Sequence, residues 1–303
     1  LLSFRYHVAS LVAVLLALAA GVALGGGPLK DVGSGSSQDL AAVRTALATQ
    51  RGRTADLQQQ AAMSDRFASA VGPRLVQGRL TGHAVSLVLL PGADPHTVSA
   101  LTGLISSAGG HVVATFAVQP KTTSAGNRQL VDALTSQLAA QHQQITVPST
   151  ASTYQRLGVL LGRLAGSTTR GGASYDATAV SLLAGLDTAG LVRAVGQPQR
   201  RGDLVLVVAG APTSSSDAQG GPAIEASIAT AMAPQVHGVV VAGPTSSAAS
   251  SGVLQQLRST AGGDPAGQDA VSTVDSADTG AGQVATVLAL AAAATGGHGS
   301  WGV

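Results

Sequence analysis

HAVSLVLLPGADPHTVSALTGLISSAGGHVVATFAV, residues 83–118, is the stretch whose reading decides the fold. Val85 to Leu90 is a continuous apolar run, and Pro91-Gly92-Ala93-Asp94 turns the chain after it. From His96 to Ala108 the apolar residues Val98, Leu101, Leu104 and Ile105 follow helical spacing, and Gly109-Gly110 closes that helix. Val112 to Val118 is a second apolar run. A strand buried on both faces reads as a continuous apolar run, so this is a βαβ unit whose strands lie parallel.

The same alternation continues downstream. Further strands are expected at Leu204 to Val208, Gly238 to Val241 and Val271 to Val274. Helical spacing covers Arg128 to Gln141, Tyr154 to Leu164, Ala177 to Val195, Ala223 to Met232, Ser250 to Ala261 and Gly282 to Ala294. Five apolar strands alternating with helices predict an α/β fold over residues 83–295, a Rossmann-like, largely parallel sheet flanked by helices. Residues 296–303, with Gly296, Gly297, Gly299 and Gly302, are expected to form a flexible tail that contains His298 and Trp301.

Upstream, Val8 to Leu24 is almost wholly apolar and long enough for a helix of about 26 Å, close to the thickness of a bilayer core. Residues 1–27 are therefore read as a membrane anchor. Arg5 before the run predicts the N-terminus inside and the remainder in the cell envelope. A cleaved signal peptide is the competing reading, but the small-x-small site Ala17-Leu18-Ala19 falls inside the apolar run. Residues 28–38 are Gly/Ser-rich and read as a linker. Within 39–72, Leu40, Val43, Leu47, Gln50, Thr54, Leu57, Ala61, Ser64, Ala68 and Val71 alternate steps of three and four, a heptad seam that Gly72-Pro73 would stop. That pattern predicts a coiled coil and a homodimer; an amphipathic helix packed on its own domain is the alternative.

Composition narrows the function. Charged residues are 11%, aromatics 2%, and the net charge is +2, too little positive excess and too few stacking rings for a nucleic-acid binder. There is no cysteine, which removes disulfides, thiolate metal sites and thiol catalysis. Ligands of open α/β sheets sit at strand ends, which nominates Pro91 to Asp94, Gly210 to Thr213, Gly243 to Thr245 and Asp275 to Asp278. None matches a dinucleotide fingerprint or a phosphate-binding loop. Asp275 and Asp278 read either as a carboxylate pair or, preferably, as a cap on the final helix. Ser214, Ser215 and Ser216 beside Asp217 form no nucleophile elbow. The histidines His7, His83, His96, His111, His142, His237 and His298 form no H-x₃-H pair, and Met63 and Met232 stand far apart, so no soft-metal cluster is visible. No catalytic, cofactor or metal residue is assigned, and no enzyme activity is expected.

The opening Ser3-Phe4-Arg5-Tyr6-His7-Val8-Ala9-Ser10-Leu11-Val12-Ala13-Val14, running on to Ala19-Ala20-Gly21, resembles the N-terminus of the copper transporter family typified by mycobacterial MctB. Val271-Ser272-Thr273-Val274-Asp275 and Gln283-Val284-Ala285 are also similar to that family, as is the order of anchor, stalk and α/β domain. The resemblance implies copper homeostasis or transport in the cell envelope. Septation-associated relatives imply an alternative, a dimeric scaffold that binds a partner controlling a peptidoglycan hydrolase. The family supplies no catalytic residues. One apolar helix and short apolar strands cannot line a pore, which needs several spanning helices or a closed barrel. The expectation is a membrane-anchored protein that supports copper handling without conducting the ion. A small-ligand binder using the strand-end crevice is the third reading.

Overall fold

The computed structural model describes Val14 and residues 28–212, 220–260 and 271–302. The expected anchor, Val8 to Leu24, lies outside these residues apart from Val14, as do Ser214, Ser215, Ser216 and Asp217. Among the described residues no helix is long and apolar enough to cross a membrane. The chain divides into two units, Leu1–Met63 and Ser64–Val303.

Helix α1 runs from Pro28 to Val76 and differs from the sequence reading at both ends. The segment 28–38, expected to be a flexible linker, is helical. Gly72-Pro73 does not stop the helix, which continues through Arg74 to Val76. Tertiary packing holds this last turn. Val76 and Leu80 are fully buried, and a side chain at Gly72 would meet Val284, 2.7 Å away. In the first unit, the seam residues Val43, Leu47 and Leu57 are 62%, 48% and 65% exposed.

In the second unit, β1 (Ala84–Leu89), α2 (Pro95–Ser107) and β2 (His111–Val118) form the expected βαβ unit, with β1 parallel to β2. A long excursion follows: α3 (Pro120–Thr123), α4 (Arg128–Gln141), α5 (Thr153–Ala165), β3 (Ala173–Ser174), α6 (Ala177–Thr188), β4 (Val192–Ala194) and β5 (Arg200–Arg201). The alternation then resumes through β6 (Leu204–Val208), α7 (Gly221–Met232), β7 (Gly238–Ala242), α8 (Val253–Thr260), β8 (Val271–Val274), α9 (Gly280–Ala293) and β9 (Ser300–Trp301). The strand order is β4-β2-β1-β6-β7-β8-β9, a mostly parallel seven-stranded sheet. All five expected strands are present. The order places the switch between β1 and β6, which is the flavodoxin-like winding rather than the 3-2-1-4-5-6 order of dinucleotide folds.

Two edge strands escaped the sequence reading. The helix expected to reach Val195 ends at Thr188; Gly190, at φ 63°, reverses the chain, and β4 pairs antiparallel with β2 through Val192 and Val118. The tail expected to be flexible contains β9, which pairs parallel with β8 through Ser300 and Trp301.

Helices cover both faces. On one, α4 to α8 pack against Val88, Phe116, Val205, Val207, Val239 and Val241. On the other, the end of α1 with α2 and α9 packs against Val85, Leu87, Leu204, Leu206 and Val240. The small residues of α5 allow an unusually close contact: a Cβ on Gly158 would strike the Ile228 carbonyl, and one on Gly162 the Met232 carbonyl. Glycine is required here because α5 lies directly on the backbone of α7.

Candidate functional site

The carboxyl ends of the parallel strands carry the four loops nominated from sequence. At the switch point, Pro91 to Asp94 and Gly210 meet backbone to backbone. A Cβ on Gly210 would strike Gly92 and the Pro91 carbonyl, while Leu90 N donates to Val208 O at 2.9 Å. Asp94 is committed to α2. Its Oδ2 accepts from Thr97 N at 2.8 Å and Thr97 Oγ1 at 2.9 Å, and these bonds hold its carboxyl below the usual carboxylate range.

The richest polar constellation lies one step further along the edge, at the ends of β7, β8 and β9. Asp275 is buried at the end of β8. Its Oδ2 accepts from Arg258 Nη1 at 3.0 Å, and its Oδ1 accepts from Ser276 Oγ at 3.0 Å. Arg258, on α8, also donates through Nε to Thr273 Oγ1 at 3.2 Å and through Nη2 to the Trp301 carbonyl at 3.2 Å. Thr245, after β7, lies 3.1 Å from Ser276 Oγ. Ser276 has φ 58°, the left-handed region that side chains other than glycine seldom enter. Such outliers persist only where surrounding contacts hold them.

This geometry corrects the reading of Asp275 and Asp278. They neither pair nor cap α9: Asp278 is exposed, Asp275 is turned inward onto Arg258, and Thr279 is the cap, its Oγ1 accepting from Gly282 N at 3.1 Å. Sequence reasoning missed Arg258. The available signal was its isolation, since it is the only Lys or Arg after Arg201. A lone cation on an amphipathic helix, in a segment rich in Asp, has a partner to find.

The opposite edge holds a second buried pair that was also missed. His83 Nδ1 lies 2.6 Å from Asp203 Oδ2, and the other oxygen accepts from Ala84 N at 2.7 Å. Because a carboxylate only accepts, Nδ1 carries the hydrogen. The two residues stand immediately before β1 and β6 and join the starts of those strands. His111 opens β2, and His237, just before β7, donates its backbone N–H to the Asp203 carbonyl at 3.1 Å. These histidines occupy neighbouring strand starts, yet among the described residues no group of three His, Asp or Glu side chains converges as a metal site. Met63 is 75% exposed on α1 in the first unit, and Met232 is fully buried in the second.

The sequence model described as "Copper transport outer membrane protein, MctB" matches residues 1–303. The chain is 30% identical over 309 residues to the copper transporter MctB of Mycobacterium bovis and to that of Mycobacterium tuberculosis, covering 98% of this chain and 95% of each relative. It is 27% identical over 328 residues to the copper transporter MctB of Mycobacterium leprae, covering 100% of this chain and 96% of that relative.

Proposed function

Since the chain belongs to the MctB family of copper transport outer membrane proteins, we propose that it serves copper homeostasis at the cell envelope, as a membrane-associated component that is neither an enzyme nor itself a conduit. One observation supports the reading that it is not itself a conduit. The seven-stranded sheet is open, ending in β4 on one side and β9 on the other, and both of its faces are covered by helices. A sheet packed in this way encloses no lumen. Its donors are imidazole and carboxylate rather than thiolate, a set suited to copper(II) more than to copper(I). Among the described residues no three of those donors converge. The role proposed here runs through contacts with other envelope proteins.

The test compares the copper content of cells lacking this protein with that of complemented cells, alongside conductance of the purified chain in planar bilayers. The expected result is altered copper content with no channel current. Unchanged copper content would sink the homeostatic role, and copper-carrying current would sink the non-conduit reading.

A dimeric scaffold for a cell-division partner is the second reading. The solvent-facing seam Val43, Leu47 and Leu57 favours it, because apolar residues at heptad spacing are stabilised when a second helix covers them.

A further inference from the structure

We propose that the carboxyl end of β8 is an acceptor groove for an extended peptide, running parallel to β8, in which glycine directly follows an aromatic residue. The chain's own residues 299–302 fill the groove in this structure. Thr273 N donates to the Gly299 carbonyl at 2.9 Å, and Asp275 N donates to the Trp301 carbonyl at 3.1 Å. Arg258 Nη2 donates to that same carbonyl at 3.2 Å, and Thr273 Oγ1 donates to Ser300 Oγ at 2.9 Å. Three of these four bonds end on backbone oxygens of the occupant. Recognition is thus directed at an extended main chain, the logic of strand addition to a sheet edge.

The groove also filters sequence at one position. A side chain on Gly302 would run into the Asp275 carboxylate, so only glycine fits after the aromatic residue. That carboxylate is itself held by Arg258 and Ser276, which makes the filter a rigid wall. All three donor nitrogens of Arg258 are spent on this arrangement: Thr273, Asp275 and the occupant's carbonyl.

The present occupant is built to leave. It pairs through only two residues, Ser300 and Trp301, and it is joined to α9 by a connection containing Gly296, at φ 80°, Gly297 and Gly299. Short edge pairings on glycine-rich connections belong to the low-stability end of a protein's opening reactions. When the segment lifts, the β8 amides, the Arg258 fork and the Asp275 wall remain as a preformed acceptor on the side of the sheet where doubly wound folds take their ligands. The Trp301 ring is partly buried against the core on the α2–α9 face, and a partner presenting residue–aromatic–glycine in extended form makes the same bonds and the same apolar contact.

The experiment uses the full chain carrying Gly302→Val, whose own segment cannot seat, and the fluorescein-labelled peptide Gly-Gly-Ser-Trp-Gly followed by anisotropy. The variant should bind the peptide at least tenfold more tightly than the parent chain, in which the groove is filled. That binding should disappear in Gly302→Val/Arg258→Ala and with a peptide ending in Val. Equal binding by parent and variant, no binding by the variant, or acceptance of the Val peptide each overturns the proposal. A second measurement needs no substitution. In the parent chain the Asp275 amide should exchange with solvent at least tenfold faster than that of Val241 in the central strand β7, and added peptide should slow it. An Asp275 amide as protected as that of Val241 overturns the proposal independently.

Discussion

Glu225 on α7 shows how one side chain sets a pH dependence. Burial pushes its carboxyl up to about 7 from an ordinary 4.5. Below pH 4.5 both folded and unfolded chains hold this proton, and the residue costs nothing. Between there and about 7 the unfolded chain releases the proton while the folded chain keeps it, so stability falls as pH rises, and above that the loss is constant. Glu225→Gln should therefore melt higher than the parent at pH 8 and level with it at pH 4; parallel melting curves at both pH values would contradict this. Asp176 runs the other way. Burial pushes its carboxyl up, but the Arg163 hydrogen bond, the Ala179 N–H and the charges of Arg163 and Arg201 outweigh it and hold the group below 3.8. Its stabilisation is present above 3.8 and is lost as pH falls through the lower folded value. Because Asp176 is 39% exposed, Asp176→Asn should cost only about 1 kcal/mol at pH 7. Urea titrations should show that difference shrinking in acid.

Packing between elements depends on positions that tolerate no added atom and on one that wastes a polar group. Gly158→Ala puts a methyl group into the Ile228 carbonyl and should cost about 2 kcal/mol or more, read from the urea midpoint, because α5 must lift from α7. Ser272, fully buried in β8, has an Oγ with no hydrogen-bond partner among the described residues. Ser272→Ala should raise stability by about 1 kcal/mol, since an unsatisfied buried hydroxyl is removed with little loss of volume. A drop in the melting temperature would refute that. At this scale the sequence was readable where an element contains its own signal. The apolar runs of β1, β2, β6, β7 and β8 announce strands. It was not readable in β4 and β9, three and two residues long, whose only reason to be extended is the neighbour they pair with. The closing turn of α1 is similar, since Gly72-Pro73 is a local stop signal that the burial of Val76 and Leu80 overrides.

For the whole molecule the exposed seam of α1 bears on association in solution. The seam Val43, Leu47 and Leu57 lies on the first unit, so its disruption should leave the α/β unit intact. Leu47→Asp with Leu57→Asp is expected to convert a dimer to a monomer in sedimentation equilibrium while leaving the main thermal transition in place. A parent chain that is already monomeric would remove the dimeric scaffold reading.

The sequence by itself determined the α/β class, the five central strands and the family, because continuous apolar runs, helical spacing and a distinctive N-terminal string are local properties of the chain. It also brought Asp275 forward as a residue to watch. Only the tertiary structure decided that Asp275 turns onto Arg258, that His83 and Asp203 join two strand starts, and that Gly302 stands against a carboxylate. The physical reason is distance along the chain. Each of these arrangements is held by groups many residues apart, or by a strand too short to be extended without its partner, and folding alone brings them together.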